Sequence, residues 1–186
     1  LLARIYNLAV LDIEDPWQVR LYRGERPASY QTLFVEVRYE WQDQVRVSVS
    51  YKHQEVWWPL RGVPRMRPLL PRDRLTCWVT ANPLSRRWQV DLLAAYTGWL
   101  RVPSTTAWPE AYQRSTTGGF FWIVTPQLTY RLDQWEVQVA VENLFNYRQP
   151  APVIAAQQPF GPYFDHSLIW GPIMGRMASV ALRYSW

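Results

Sequence analysis

Hydrophobicity in this chain alternates with a period of two residues wherever a pattern can be read. Successive side chains of a β-strand point to opposite faces, so this period marks strands with one apolar and one polar face. Val45, Val47, Val49 and Tyr51 alternate with Arg46, Ser48, Ser50 and Lys52. Leu33, Val35, Val37, Tyr39 and Trp41 alternate with Glu36, Arg38 and Glu40, and Trp135, Val137, Val139 and Val141 with Glu136, Gln138 and Glu142. The last residues repeat it, with Val180, Leu182, Tyr184 and Trp186 set against Ser179, Arg183 and Ser185. The chain is expected to be all-β and antiparallel.

Nine strands are expected, near residues 3–13, 17–23, 32–41, 45–57, 73–82, 87–98, 119–131, 135–144 and 174–186. Their connections alternate in length. Short turns fall at 14–16, 42–44, 83–86 and 132–134, and long loops rich in Pro and Gly at 24–31, 58–72, 99–118 and 145–173. Tight turns at one end and long loops at the other are the pattern of an outer-membrane barrel, with the C-terminus on the periplasmic side. Pro126, inside an expected strand, lacks a ladder donor and should mark a bulge or a boundary.

The twelve Trp test this reading, because indole rings collect where a bilayer meets water. Trp17, Trp41, Trp88, Trp135 and Trp186 fall where strands meet short turns or the C-terminus, in phase with the apolar faces, and form a candidate membrane-interface girdle. Trp57, Trp58, Trp99 and Trp122 fall at the opposite ends. Two other architectures fit alternation alone. A complete small outer-membrane barrel with a structural or adhesion role would have an even strand count. A soluble carbohydrate-binding β-sandwich would bury Trp17, Trp41, Trp88 and Trp135 or cluster them on one face.

Composition narrows the function classes. The chain has 186 residues, 48% of them hydrophobic and 19% charged, which is too apolar for disorder and fits one domain over 1–186. No apolar run approaches the roughly 18 residues of a helical span. Cys77 stands alone, so no intramolecular disulfide can form. The net charge is +5, but Lys and Arg are scattered without a basic run, and nucleic acid is not an expected partner. His53 and His166 are far apart, Cys77 has no companion at ligand spacing, and Asp165-His166-Ser167 are too close in sequence to converge as a triad. Neither catalysis, nor a cofactor, nor a metal centre is expected. The opening at Leu1 reads as a fragment, without the charged segment and cleavage site of an export signal.

From the middle of the chain the sequence becomes specific. Leu70-Pro71-Arg72-Asp73-Arg74-Leu75, Tyr96-Thr97-Gly98-Trp99 and Arg101-Val102-Pro103 precede Glu142-Asn143-Leu144-Phe145-Asn146. Phe164-Asp165, Ile169-Trp170-Gly171-Pro172-Ile173, Gly175-Arg176 and Ala181-Leu182-Arg183-Tyr184-Ser185-Trp186 follow. Residues 68–186 resemble the C-terminal part of TonB-dependent outer-membrane receptors, and the first third resembles them in pattern only. The resemblance implies the last nine strands of a plugged barrel of the 22-stranded class. It further implies import of a scarce ligand, often a metal chelate such as a siderophore, with the receptor's own plug domain and TonB as partners. The plug, the motif that contacts TonB and the first half or more of the barrel are absent from this sequence. Val180, Leu182, Tyr184 and Trp186 resemble the family's barrel-assembly signal.

Asn143, Asn146 and Gly171-Pro172 match the family as well, yet Asn tolerates turn conformations and Gly-Pro punctuates strand ends, so a structural role is expected of them. Arg61, Arg65 and Arg67 could attract an anionic chelate or lipopolysaccharide phosphate, and Trp108 and Tyr112 could stack on a ligand. A solvated loop and self-packing aromatics are the plainer alternatives. Glu36, Arg38, Asp91, Glu136 and Glu142 would wet the lumen.

Overall fold

The computed structural model describes residues 1–186 except 16–17, 43 and 83–86, with only the backbone described at Asp15 and Gln18. Its strands are β1 Leu2–Ile5, β2 Ala9–Asp15, β3 Gln18–Arg23, β4 Ala28–Trp41, β5 Val45–Leu60, β6 Val63–Met66 and β7 Asp73–Ala81. They continue with β8 Trp88–Thr97, β9 Leu100–Arg101, β10 Thr117–Gly118, β11 Phe121–Leu132, β12 Trp135–Glu142 and β13 Met177–Tyr184. One antiparallel sheet runs β1-β4-β5-β7-β8-β11-β12-β13, with β6 added to the far end of β5.

Seven of the nine expected strands are the wall strands β4, β5, β7, β8, β11, β12 and β13. The first two expectations need correction. The stretch 3–13 breaks at Asn7, whose φ of 58° lies in the left-handed region that Asn tolerates. Only β1 joins the sheet, along Ala28–Gln31 of β4, while β2 and β3 form a separate two-stranded ribbon. Because β1 runs toward the end of the sheet where β5 and β6 meet, this ribbon stands on the long-loop side. Pro16 of the expected 14–16 turn lies outside the described residues. Pro126 makes no bulge. It pairs in unbroken register with Leu92 of β8, while the ladder toward β12 begins only at Gln127, so the missing N–H falls where that ladder stops.

Register shows why the two faces differ. Residues directly opposite in antiparallel strands project to the same side. One row across seven strands reads Trp41, Val45, Ala81, Val90, Leu128, Val139 and Val180. The adjacent row, on the other face, reads Glu40, Arg46, Thr80, Asp91, Gln127, Ala140 and Ser179. The apolar face is open, with Val37 60% and Val180 74% exposed, and among the described residues no second sheet covers it. A soluble monomer rarely exposes more than a few hundred Å² of contiguous apolar surface. The sandwich alternative fails on this point.

Among the described residues the sheet is not closed: β13 has no neighbour beyond β12, and β4 below Thr32 pairs only with β5. The principal buried cluster lies outside the sheet altogether. Leu100, Val102, Trp108, Ile154 and Leu168 are buried together, with Leu69, Tyr112, Tyr163 and Trp170 packed around them. These residues come from the long loops, which form a cap with its own core at one end of the wall.

Candidate ligand-facing loops and membrane rims

At the short-turn end, Trp41, Trp88 and Trp135 occupy the last rows of the apolar face. Trp88 lies 4.4 Å from Tyr130 and Trp135 lies 4.8 Å from Tyr184, ring centre to ring centre, and the Tyr184 hydroxyl donates to Gln134 Oε1 at 2.6 Å. Trp17 lies outside the described residues. Trp186 follows β13 and is fully exposed, with Ser185 N–H bonded to the Gln134 carbonyl at 2.9 Å. Val180, Leu182 and Tyr184 line the outer strand of the sheet, opposite Val139, Val137 and Trp135.

At the opposite end of the apolar face, Tyr96 and Trp122 are register partners 5.1 Å apart. The face turns polar just beyond them. Asp73 accepts a hydrogen bond from the Tyr51 hydroxyl at 2.6 Å and contacts His53 Nδ1 at 2.7 Å. Arg72 pairs with Glu55 and lies over Trp99. This change marks the upper limit of the apolar band.

The cap is built by backbone groups that find side-chain partners. Gln149, buried, accepts from the N–H groups of Trp170 at 2.7 Å and Gly171 at 2.8 Å and donates to the Leu168 carbonyl at 3.2 Å. Thr105 Oγ1 accepts from Arg114 N–H at 2.7 Å. Asn143 (φ 52°) accepts from Tyr147 N–H and donates to the Tyr147 carbonyl, closing the turn after β12. Asn146 Oδ1 accepts from Arg176 N–H at 2.9 Å, so both asparagines hold turns. Gly118 packs closely, since a Cβ there would stand 2.9 Å from Leu100 Cδ1 and 3.1 Å from the Trp170 ring, so the buried Leu100 would have to shift.

The ribbon β2–β3 is clipped to this cap by acids on its inner face. Asp12, wholly buried, lies 2.7 Å from Arg61 Nε and accepts from Glu14 N–H at 2.9 Å. Burial alone would raise its carboxyl pKa, but the Glu14 N–H and the Arg61 guanidinium outweigh burial and hold it below the usual carboxylate range. Glu14 meets Arg101 Nη2 at 2.5 Å and accepts from Ser104 N–H at 3.2 Å. The other face of the ribbon is apolar and open, with Leu21 71% exposed.

The loop residues singled out from the sequence therefore divide. Arg61 clips the ribbon, and its N–H donates to the Tyr22 hydroxyl at 2.6 Å. Arg67 lies over the Trp58 ring at 4.8 Å. Arg65 is exposed and lines a cleft of about 410 Å³ with Glu14, Met66, Trp99 and Arg101. Trp108 is buried in the cap core, and Tyr112 stacks on Tyr163 at 4.9 Å. Asp12, Glu14, Arg101 and Gln149 escaped the sequence reading, because nothing local tells a turn-flanking acid from one half of a buried ion pair.

No family model and no curated protein matches the sequence. Solved structures do match. The open form of the ferric-catecholate import receptor Fiu from E. coli K12 is 16% identical, with a TM-score of 0.59 over 86% of this chain and 21% of that one. The ferric yersiniabactin uptake receptor FyuA from Yersinia pestis is 13% identical, with a TM-score of 0.63 over 86% of this chain and 24% of that one. FpvA of P. aeruginosa, bound to heterologous pyoverdines, is 15% identical, with a TM-score of 0.62 over 96% of this chain and 23% of that one. The chain thus spans under a quarter of each of these three receptor structures, and at these identities the likeness is one of fold. The fold is shared with part of these import and uptake receptors.

Proposed function

We propose that residues 1–186 form the last wall strands and surface loops of an outer-membrane receptor that imports a scarce ligand, a metal chelate such as a siderophore, in a TonB-dependent way. The observation that carries this reading is the pair of adjacent rows across seven strands, one wholly apolar and the next polar or small. Such a sheet belongs between lipid and an aqueous lumen. Its free edges argue for further strands. Each backbone group left unpaired in hydrocarbon costs several kcal/mol, so a wall of this kind exists in a bilayer only when closed. Fold kinship with receptors for ferric chelates supports the choice of cargo class.

In this reading the apolar face meets outer-membrane lipid, the girdle of Trp41, Trp88, Trp135 and Trp186 lies at the periplasmic interface, and the cap faces the cell surface beside lipopolysaccharide. The edge strand with Val180, Leu182, Tyr184 and Trp186 serves as the assembly signal. Plug and TonB contact come from regions outside this chain. Arg65, at the open cleft, is the best placed of the loop cations to meet a ligand, whereas Trp108 serves the cap core.

The test is uptake. The gene that encodes this chain is deleted in its host, and accumulation of radiolabelled iron supplied as ferric chelates is compared with the parent strain under iron limitation. Loss of uptake for one chelate, restored by the gene but not in a strain lacking TonB, is the expected result. Unchanged uptake across a chelate panel, with the protein present in the outer membrane, would remove the cargo assignment.

A further inference from the structure

Several charges on the polar face are paired within the wall. Toward the short turns, Arg38 lies 2.6 Å from Glu36 and Arg46 lies 2.9 Å from Glu40. Further round the wall, Asp91 accepts from Thr80 at 2.6 Å and Gln89 at 2.7 Å, and Arg131 joins Glu136 at 2.7 Å.

Lys52 and Arg74 are two adjacent cations without such pairing. They are register partners on β5 and β7, so their side chains leave the same face from opposite positions roughly 4.5–5.5 Å apart at Cβ. Like charges placed so repel. Among the described residues neither has an ion-pair or hydrogen-bond partner. The nearby acids are committed elsewhere. Glu36, diagonal to Lys52 on β4, is held by Arg38 and by the Ser48 hydroxyl at 3.4 Å. Asp73 precedes Arg74 but serves the opposite face, with Tyr51 and His53.

The flanking positions in the same row are Phe34 and Thr97. Phe34 is 59% exposed on a face that is otherwise largely polar. The row Phe34, Lys52, Arg74, Thr97 thus sets an aromatic ring, two uncompensated cations and a hydroxyl side by side.

We propose that Lys52 and Arg74 form an oxyanion-binding step on the lumen wall, below the cap, for a carboxylate- or phosphate-bearing small molecule on its way through. The proposal rests on the import reading and adds the charge of the cargo to it. A guanidinium offers a planar fork to an oxyanion and an ammonium adds a point charge beside it. The bound anion cancels the repulsion between the two cations, and Phe34 gives the apolar part of the molecule a surface to rest on. Arg74 is exposed and Lys52 half-buried, so water still reaches the pair and binding there is weak enough to release.

The test uses the full receptor that contains this chain, purified in detergent, with inorganic phosphate as the probe and chloride at equal ionic strength as the control. The rate at which an amine-acylating reagent modifies Lys52 is read by mass spectrometry. Phosphate is expected to slow modification severalfold more than chloride does, Arg74→Ala to abolish that protection, and Arg74→Lys to keep part of it. Equal rates in phosphate and chloride would overturn the proposal. So would a Lys52 that is unreactive before any anion is added, because a carboxylate of the polypeptide inside the lumen would then hold the position. A receptor that protects Lys52 with phosphate yet imports no chelate would retire the import reading and leave the anion site standing.

Discussion

The wall and the cap solve opposite problems with the same amino acids. In the wall, Val, Leu and Trp face outward and charged residues face inward, and few wall residues are deeply buried. In the cap, Trp108, Leu100 and Ile154 are hidden from solvent together, as the core of a water-soluble domain is. The wall is shaped for a solvent in which apolar surface costs nothing but an unpaired peptide group is prohibitive. The cap is shaped for water, where burying about 25 cal/mol per Å² of apolar surface is what holds loops together.

The sharpest way to break this contrast is to remove the centre of the cap. Trp108→Ala is expected to cost the cap about 3–5 kcal/mol. Limited proteolysis in intact cells should then cut within 99–118 and 143–176, while the wall stays in the membrane fraction; if the barrel disappears with the cap, the two are not independent. A charge on the apolar face asks the reverse question. Val49, opposite Val37 and Cys77 near mid-height, becomes Arg, at an expected cost of about 2–4 kcal/mol in folding into vesicles. Ser50→Arg, one residue along and facing the lumen opposite Glu36, should cost far less. Similar losses for the two variants would contradict the assignment of faces.

Smaller effects sharpen the picture. Gly118→Ala should destabilise the cap by about 1–3 kcal/mol through overpacking against Leu100, seen as faster hydrogen exchange confined to the loops. Asp12 gives a pH signature. Its carboxyl is held below the usual carboxylate range, so its contribution to clipping the ribbon is complete above that range and is lost as pH falls through the lower, folded value. Protease sensitivity of residues 9–23 should therefore rise in acid, and Asp12→Asn should remove that step. Trp135→Ala, at the short-turn rim, should lower membrane stability least of all. An effect as large as that of Val49→Arg would place Trp135 deeper in the hydrocarbon than the rim.

Most of the wall was legible because its information is local and periodic. Seven strands follow from alternation and turn residues alone, and the matching of faces follows from the turns that fix register. The ribbon was misread for the same reason. Ala9–Asp15 and Gln18–Arg23 alternate as a wall strand does, and only Asn7, one residue in a left-handed conformation, diverts them out of the sheet. The clips between Asp12 and Arg61 and between Glu14 and Arg101 join residues far apart in sequence, and no period announces such a meeting. Pro126 was read correctly as a missing donor but not as harmless, because strand order decides on which side the gap falls. Of the candidate loop residues, Trp108 could be recognised as an aromatic in a Pro-rich loop, but whether such a ring faces a ligand or a core depends on Ile154 and Leu168, some fifty residues later.

The free-standing core of the cap bears on how such a protein can change over time. Residues that hold the cap together are not those that hold the wall in lipid, so substitutions at exposed cap positions such as Arg65 or Arg67 leave both foundations in place. On the import reading proposed above, a surface of this kind can be rewritten for a new chemical cargo without the wall beneath having to be reinvented.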